Sequence, residues 1–198
     1  MSEAHHPRSA PPSQPGFYVV VTGPPGSGKT LLARPLAAAL GLTLLSKDII
    51  KEALFDELGT GDRLWSRRLG RASVTALYRI AAECPSAVIE SVFYRDVSVD
   101  DLHALGKPLI EVHCECSNAL AIERFQHRAD TERHPGHLDN RQPLDKLEQL
   151  VEESSVPLHL GGSLLQLDTT TPVEVAAVVD WVRSTPEYLS SVGAPAGR

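Results

Sequence analysis

Eight consecutive residues, Gly23-Pro24-Pro25-Gly26-Ser27-Gly28-Lys29-Thr30, restrict the fold of this 198-residue chain more than any other feature. Their spacing is a complete G-x-x-x-x-G-K-[ST] loop. Gly23 lets the chain leave a strand in a tight turn. Gly26 and Gly28 lack a Cβ, so backbone N–H groups can close on phosphate oxygens. Lys29 supplies a point charge for the β- and γ-phosphates, and the Thr30 hydroxyl is placed to ligate Mg²⁺. The flanks agree. Phe17-Tyr18-Val19-Val20-Val21 is a short apolar, β-branched run suited to a buried parallel strand. Residues 31–40 are rich in Leu and Ala, with Pro35 inside and Gly41 as a helix stop. Strand, loop and helix therefore follow one another, and the helix N-terminus adds its own preference for anions. The expected phosphate cradle is Gly23, Pro25, Gly26, Ser27, Gly28, Lys29 and Thr30, with a nucleoside triphosphate such as ATP as its ligand.

Bulk properties narrow the partners. The net charge of −6 weighs against a protein that coats long nucleic acid, although a local basic groove remains open. No run of about 20 apolar residues is present, so no membrane span is expected. The start, Met1-Ser2-Glu3-Ala4-His5-His6, shows no apolar signal region, and the expected location is cytoplasmic. Three cysteines, Cys84, Cys114 and Cys116, form no disulfide framework, and the last two read as packing residues on one strand face.

Residues 1–15, with four prolines, read as a disordered tail, and 186–198 as a flexible one. Between them strand patterns at 17–22, 42–45, 86–92, 108–114 and 163–168 alternate with helical ones at 28–40, 47–58, 62–83, 98–105, 117–128, 143–153 and 172–184. Such alternation predicts an α/β domain over 16–185, a parallel sheet with helices on both faces. Active groups then belong at the strand C-terminal ends. Asp48 follows the second strand and is a candidate general base or a helix cap. Glu90 interrupts an apolar strand; a buried carboxylate there is costly unless paired or used, so it is expected to order Mg²⁺ or contact substrate. Arg95 could hold a substrate anion or sit on the surface. Arg124 and Arg128 lie one helical turn apart, and Arg133 follows before the Pro135-Gly136 break; arginines in a lid stabilise the charge of a transferring phosphoryl group. His134 and His137 read as substrate contacts or as capping and packing residues, ahead of a metal or acid–base pair. Arg63, Arg67, Arg68 and Arg71 fit an ordinary amphipathic helix with Leu64, Leu69 and Val74, or one of them faces an acidic substrate.

With the loop, Asp48 and the arginines assembled, residues 17–184 resemble the small P-loop kinases, the group of gluconate kinase, chloramphenicol phosphotransferase, zeta toxins and polynucleotide kinase. The resemblance implies a three-layer α/β/α sandwich, a five-stranded parallel sheet of order 2-3-1-4-5 and a helical lid over about 129–142. It implies transfer of the γ-phosphoryl of MgATP to a hydroxyl of a small molecule: a sugar, metabolite or antibiotic. A nucleic-acid 5′-hydroxyl kinase and a regulatory ATP-binding protein or ATPase are the alternatives, and the protein is expected as a monomer or homodimer. In the group's Asp-x-x-Arg motif the Asp is the base. Here Asp48 matches it and Lys51 replaces the arginine, keeping charge but losing the bidentate fork. Arg128 corresponds to the lid arginine, with Arg124 or Arg133 as alternates. Glu90 replaces the usual Walker B aspartate, so Thr30 and Glu90 are the metal candidates. Thr170, after the last strand, is expected beside the adenine.

Overall fold

The computed structural model describes residues 16–131, 133–139 and 142–193. Five strands form one parallel sheet in the order β2-β3-β1-β4-β5, as the resemblance implied. They are β1 (Tyr18–Thr22), β2 (Thr43–Ser46), β3 (Ala87–Glu90), β4 (Leu109–Glu115) and β5 (Leu164–Asp168). The central three are almost wholly buried, which is why they read as apolar runs rather than alternating patterns. Side chains of β1 alternate between two cores. Phe17, Val19 and Val21 pack with α1 (Lys29–Leu40) and α7 (Val175–Ser184) on one face. Tyr18 and Val20 pack with Leu77 and Ala81 of α3 (Arg63–Glu83) and Leu102 of α4 (Arg95–His103) on the other. The remaining helices are α2 (Lys47–Leu58), α5 (Asn118–Thr131), α6 (Leu144–Ser154) and α8 (Pro186–Gly193).

Gly41 ends α1 as expected: it adopts φ 68°, and the Gly41 and Leu42 N–H groups return to Ala38 and Ala37 carbonyls. Helix α5 runs three residues past its expected end and α7 starts three residues late. Three other departures from the sequence pattern have visible causes. The third strand stops at Glu90 rather than 92 because β2 and β1 pair with it only that far. Helix α4 begins at Arg95, three residues early, where Ser98 Oγ accepts from the Tyr94 N–H. Residues 186–193 are the third. They were expected in a flexible tail but form α8, capped by Thr185 Oγ1 with Pro186 at the first helical position. Glu187 accepts from Ser163 N and Oγ at 2.8 Å each, and Tyr188 meets Phe17 edge-on at 5.5 Å. The expected tails at 1–15 and 194–198 lie outside the described residues.

One buried polar group holds the base of the phosphate loop. Glu111, 1% exposed on β4, accepts from the Thr22 hydroxyl at 3.0 Å and from the Leu158 and His159 N–H groups at 2.7 and 2.9 Å. His113 lies 2.8 Å from the same Thr22 oxygen and donates through Nε2 to Ser155 O at 3.1 Å. A carboxylate with three donors is the form in which burial is tolerated. It joins the last residue of β1 to the chain that leaves α6.

Candidate active site

A cleft of about 1600 Å³ opens at the C-terminal edge of the sheet, where β1 and β3 diverge toward helices on opposite faces. The phosphate loop forms one side. Gly23, Gly26 and Gly28 have φ of 129°, 82° and 83°. A Cβ on Gly26 would stand 2.0 Å from Ala121 O, and one on Gly23 2.2 Å from Cys114 O. Only glycine satisfies both the left-handed backbone and these close approaches. Lys29 is buried and donates to Pro24 O at 2.7 Å. Burial pushes its pKa down, opposed chiefly by the Glu90 carboxylate.

Thr30 and Glu90 come together across 60 residues of sequence. The Thr30 hydroxyl donates to Glu90 Oε1 at 3.3 Å, and Ser46 Oγ donates to Oε2 at 2.6 Å. Glu90 is 4% exposed, and these two hydroxyls are its side-chain donors among the described residues. Ser46, unsuspected from sequence, is the N-cap of α2, and its side chain serves Glu90 instead of the helix. Asp48 is therefore not the cap. It lies in the first turn of α2, half-buried on the cleft, with Lys47 Nζ at 3.1 Å from Oδ1 and Arg133 Nη2 at 2.7 Å from Oδ2. Burial alone would raise the Asp48 carboxyl, but Lys47, Arg133 and their hydrogen bonds hold it well below the usual carboxylate range.

The loop 133–139 is latched onto α2 by a column of three acids one turn apart, Asp48, Glu52 and Asp56. Arg133 bridges Asp48 and Asp139, the latter at 2.7 Å, with Glu52 at 3.6 Å. Arg133 Nη2 also donates to His137 Nδ1 at 3.0 Å, so the His137 proton resides on Nε2 and is donated to Glu52 at 2.9 Å. Burial, then Arg133, lowers the His137 pKa to about 3, and the ring stays neutral. His134 donates to Asp56 at 3.2 Å and stacks on Phe55 at 5.4 Å. Gly136 closes onto the Phe55 ring, where a Cβ would stand 2.5 Å from Cδ2. No signal in the sequence pointed to Glu52, Phe55 or Asp139, because their partners lie more than 80 residues away or depend on the fold of the loop.

The other expected site residues divide. Arg124 and Arg128 both reach the cleft. Arg124 donates to the carbonyls of Thr169 and Thr170 at 3.0 and 3.1 Å and so ties α5 to the loop after β5. Arg128 lies over Phe125 at 5.8 Å, and its buried Nε has no partner among the described residues. Burial lowers its pKa, which for a guanidinium leaves it charged. Two expectations fail geometrically. Arg95 points away from the cleft and donates to Pro157 O, pinning α4 to the segment before β5. His134 packs on Phe55 and Asp56 and does not line the cleft. Leu64 is also not on the packed stripe of α3: it is exposed, and the buried positions are Ser66, Leu69, Ser73, Leu77 and Ala81.

A glycine cradle, a buried lysine, a hydroxyl and an acid at the strand ends define a nucleotide-binding P-loop protein of the small-kinase architecture. Residues 19–152 match the AAA domain family, and the chain belongs to it. A candidate kinase from Chloroflexus aurantiacus is 40% identical, with a TM-score of 0.79 over 87% of this chain and 99% of that one. A gluconokinase from Sinorhizobium meliloti shares the fold at 20% identity and TM-score 0.56, over 90% and 92% of the two chains. Kti12 from Chaetomium thermophilum, in complex with ADP-AlF3, shares it at 20% identity and TM-score 0.59, over 85% and 98%. No curated protein matches the chain in sequence. No described helix is long and apolar enough to cross a membrane.

Proposed function

We propose that the chain is an ATP-dependent phosphotransferase that moves the γ-phosphoryl group to a hydroxyl of a small molecule. The observation that carries the reading is Asp48, an ionised carboxylate at the C-terminal end of β2, lining the same cleft as Lys29 and Thr30. The 40% identity to a candidate kinase supports it. In the reaction the acceptor hydroxyl takes the place of Arg133 at Asp48 Oδ2. Loss of that ion pair raises the carboxyl toward the range of a working base. Asp48 takes the hydroxyl proton, the oxygen bonds to the γ-phosphorus, and the bond from that phosphorus to the bridging oxygen of ADP breaks. Products are ADP and a phosphate monoester.

Lys29 and Arg128 meet the charge on the equatorial oxygens. The unpartnered Nε of Arg128 and unpartnered Oγ of Ser27 are buried polar atoms that a phosphate would satisfy. Thr30 and Glu90 suit a hard cation, since both offer oxygen. These two residues would hold Mg²⁺, which would supply neutralising charge to the phosphates. The loop after β5, with Thr170, borders the nucleotide side.

The test incubates the full chain with MgATP labelled in the γ-phosphate. Acceptors are a panel of small hydroxyl compounds and 5′-hydroxyl oligonucleotides. Label on a small molecule supports the proposal. Label on oligonucleotides alone replaces it with an end kinase, and label released only as inorganic phosphate makes the protein an ATPase.

A further inference from the structure

Away from the phosphate loop, the cleft wall built by α2, α3, α4 and the 133–139 loop carries six basic and four acidic side chains. The chain as a whole has a net charge of −6, so this wall runs against the overall sign. Several of the charges cancel: Lys47 and Arg133 meet Asp48, and Arg133 meets Asp139. Lys51, Arg67 and Arg71 stand outside that pairing. Among the described residues none of the three has a carboxylate within ion-pairing distance.

Lys51 is the telling member. It is 7% exposed, and its ammonium donates to Ser66 Oγ at 3.0 Å. That hydroxyl donates onward to Gly136 O at 3.0 Å, and the Phe55 ring centroid lies 5.2 Å from the ammonium. Burial, then Lys47, brings the Lys51 pKa down to about 8 against the opposing pull of Asp48 and Asp139, whose carboxylates act on it from beyond ion-pairing distance. A buried ammonium with one hydroxyl partner is unfavourable unless a counter-charge is supplied. The space for one exists. Gly70 of α3 faces Lys51: a Cβ there would be 3.8 and 3.9 Å from its Cε and Nζ, so any larger side chain would cover the ammonium. Arg67 and Arg71, one turn apart on the same cleft-lining face, are exposed and flank that gap.

We infer that the acceptor is an anionic hydroxyl compound, whose carboxylate or phosphate group sits on Lys51 beneath Gly70 with Arg67 and Arg71 at the rim. The inference rests on the phosphotransferase reading, which places the reacting hydroxyl at Asp48. Asp48 and Lys51 are three residues apart on α2, so hydroxyl and anion are separated by about one helical turn, roughly 5–6 Å. The position of Lys51, closed over by Ser66 and Gly136, admits a terminal group of a small molecule rather than a strand running through.

The experiment uses the full chain, MgATP and matched acceptor sets: polyols bearing a carboxylate, polyols bearing a phosphate, and neutral polyols and amides of the same length. Oligonucleotides with a 5′-hydroxyl form a fourth set. The expected result is transfer to one of the two acidic sets, which identifies the anion, with kcat/KM at least about tenfold below it for the neutral counterparts. In the double variant Arg67→Gln/Arg71→Gln, KM for the acid rises about tenfold, more than kcat falls, while KM for MgATP holds. The variant Lys51→Met keeps the buried stem, raises the same KM further and does not lower the melting temperature. Equal use of neutral and acidic acceptors, or preference for oligonucleotides, overturns the inference and leaves a kinase. If nothing is phosphorylated, the kinase reading fails by itself. The subsite is then judged by titrating the acidic sets against the NMR signals of the Lys51 ammonium and the Gly70 amide. Signals that move sustain the subsite, and signals that stay still overturn it.

Discussion

The two sides of the cleft are built by different means. The phosphate side comes from eight contiguous residues and works through backbone: three glycines at positive φ and a buried lysine. The opposite side comes from α2, α3, α4 and the 133–139 loop, and works through side chains that find one another over as many as 85 residues. A backbone site tolerates almost no substitution because the geometry is in the chain itself. A side-chain site can be retuned by single exchanges, which is how one phosphate loop serves many acceptors. In this chain the contrast is also one of charge, with a hydrogen-bonded phosphate-loop side and an opposite side that carries several ion pairs.

The contrast can be broken by substitution, beginning with the largest effect. Asp48→Asn should lower turnover about 10²–10⁴-fold while leaving ATP affinity intact, because the amide can no longer take a proton. Single-turnover kinetics beside nucleotide titration separates the two quantities, and near-normal turnover would remove Asp48 from the chemistry. Lys29→Ala should reduce turnover about 10²–10³-fold with every acceptor alike, since it acts on the donor. An effect that varied with acceptor would show the two sides to be less independent than their construction implies.

A smaller effect is expected from pH. The His137 pKa is about 3 in the fold, against an ordinary value of 6.5. Between those values the unfolded chain binds a proton that the native state refuses, so stability falls as pH drops through that window. Asp48, whose folded pKa is depressed, adds to the loss below its ordinary value of 3.8. Denaturant titrations from pH 7 to 4 should show the decline, and His137→Gln should flatten it. The smallest effect is His134→Ala, worth about 1 kcal/mol or less, because its Asp56 partner is exposed. A loss much above that would mean the stack on Phe55 holds the 133–139 loop in place.

The strands of the sheet were legible because buried parallel strands are continuous apolar runs. Their order came from the resemblance to the small P-loop kinases and not from the pattern. Helix α8 was missed because its apolar signal is brief; it is held by a Thr-Pro cap and by Glu187 on Ser163, contacts a local pattern does not carry. At the site, Gly23–Thr30 was read from its motif and Glu90 from its place at a strand end, while the hydrogen bond from Thr30 to Glu90 is visible only in the fold. Arg95 did not, since the same strand-end position can turn a side chain to Pro157 as readily as to the cleft. The arginine row of α3 was visible as a periodicity, but periodicity says only that residues share a face. The missing side chain at Gly70 and the ammonium beneath it are facts of packing.

The sequence by itself determined that this chain cradles a nucleotide phosphate on a parallel sheet. A glycine-rich turn between strand and helix has one geometry wherever it occurs, and the chemistry lies in the backbone. Only the tertiary structure decided what stands across from it: Asp48 held by Arg133, Lys51 buried with no ion-paired carboxylate among the described residues, and Arg67 and Arg71 on the same cleft wall. Those relations depend on which helix packs beside which, and long-range burial and charge pairing are set by the fold as a whole.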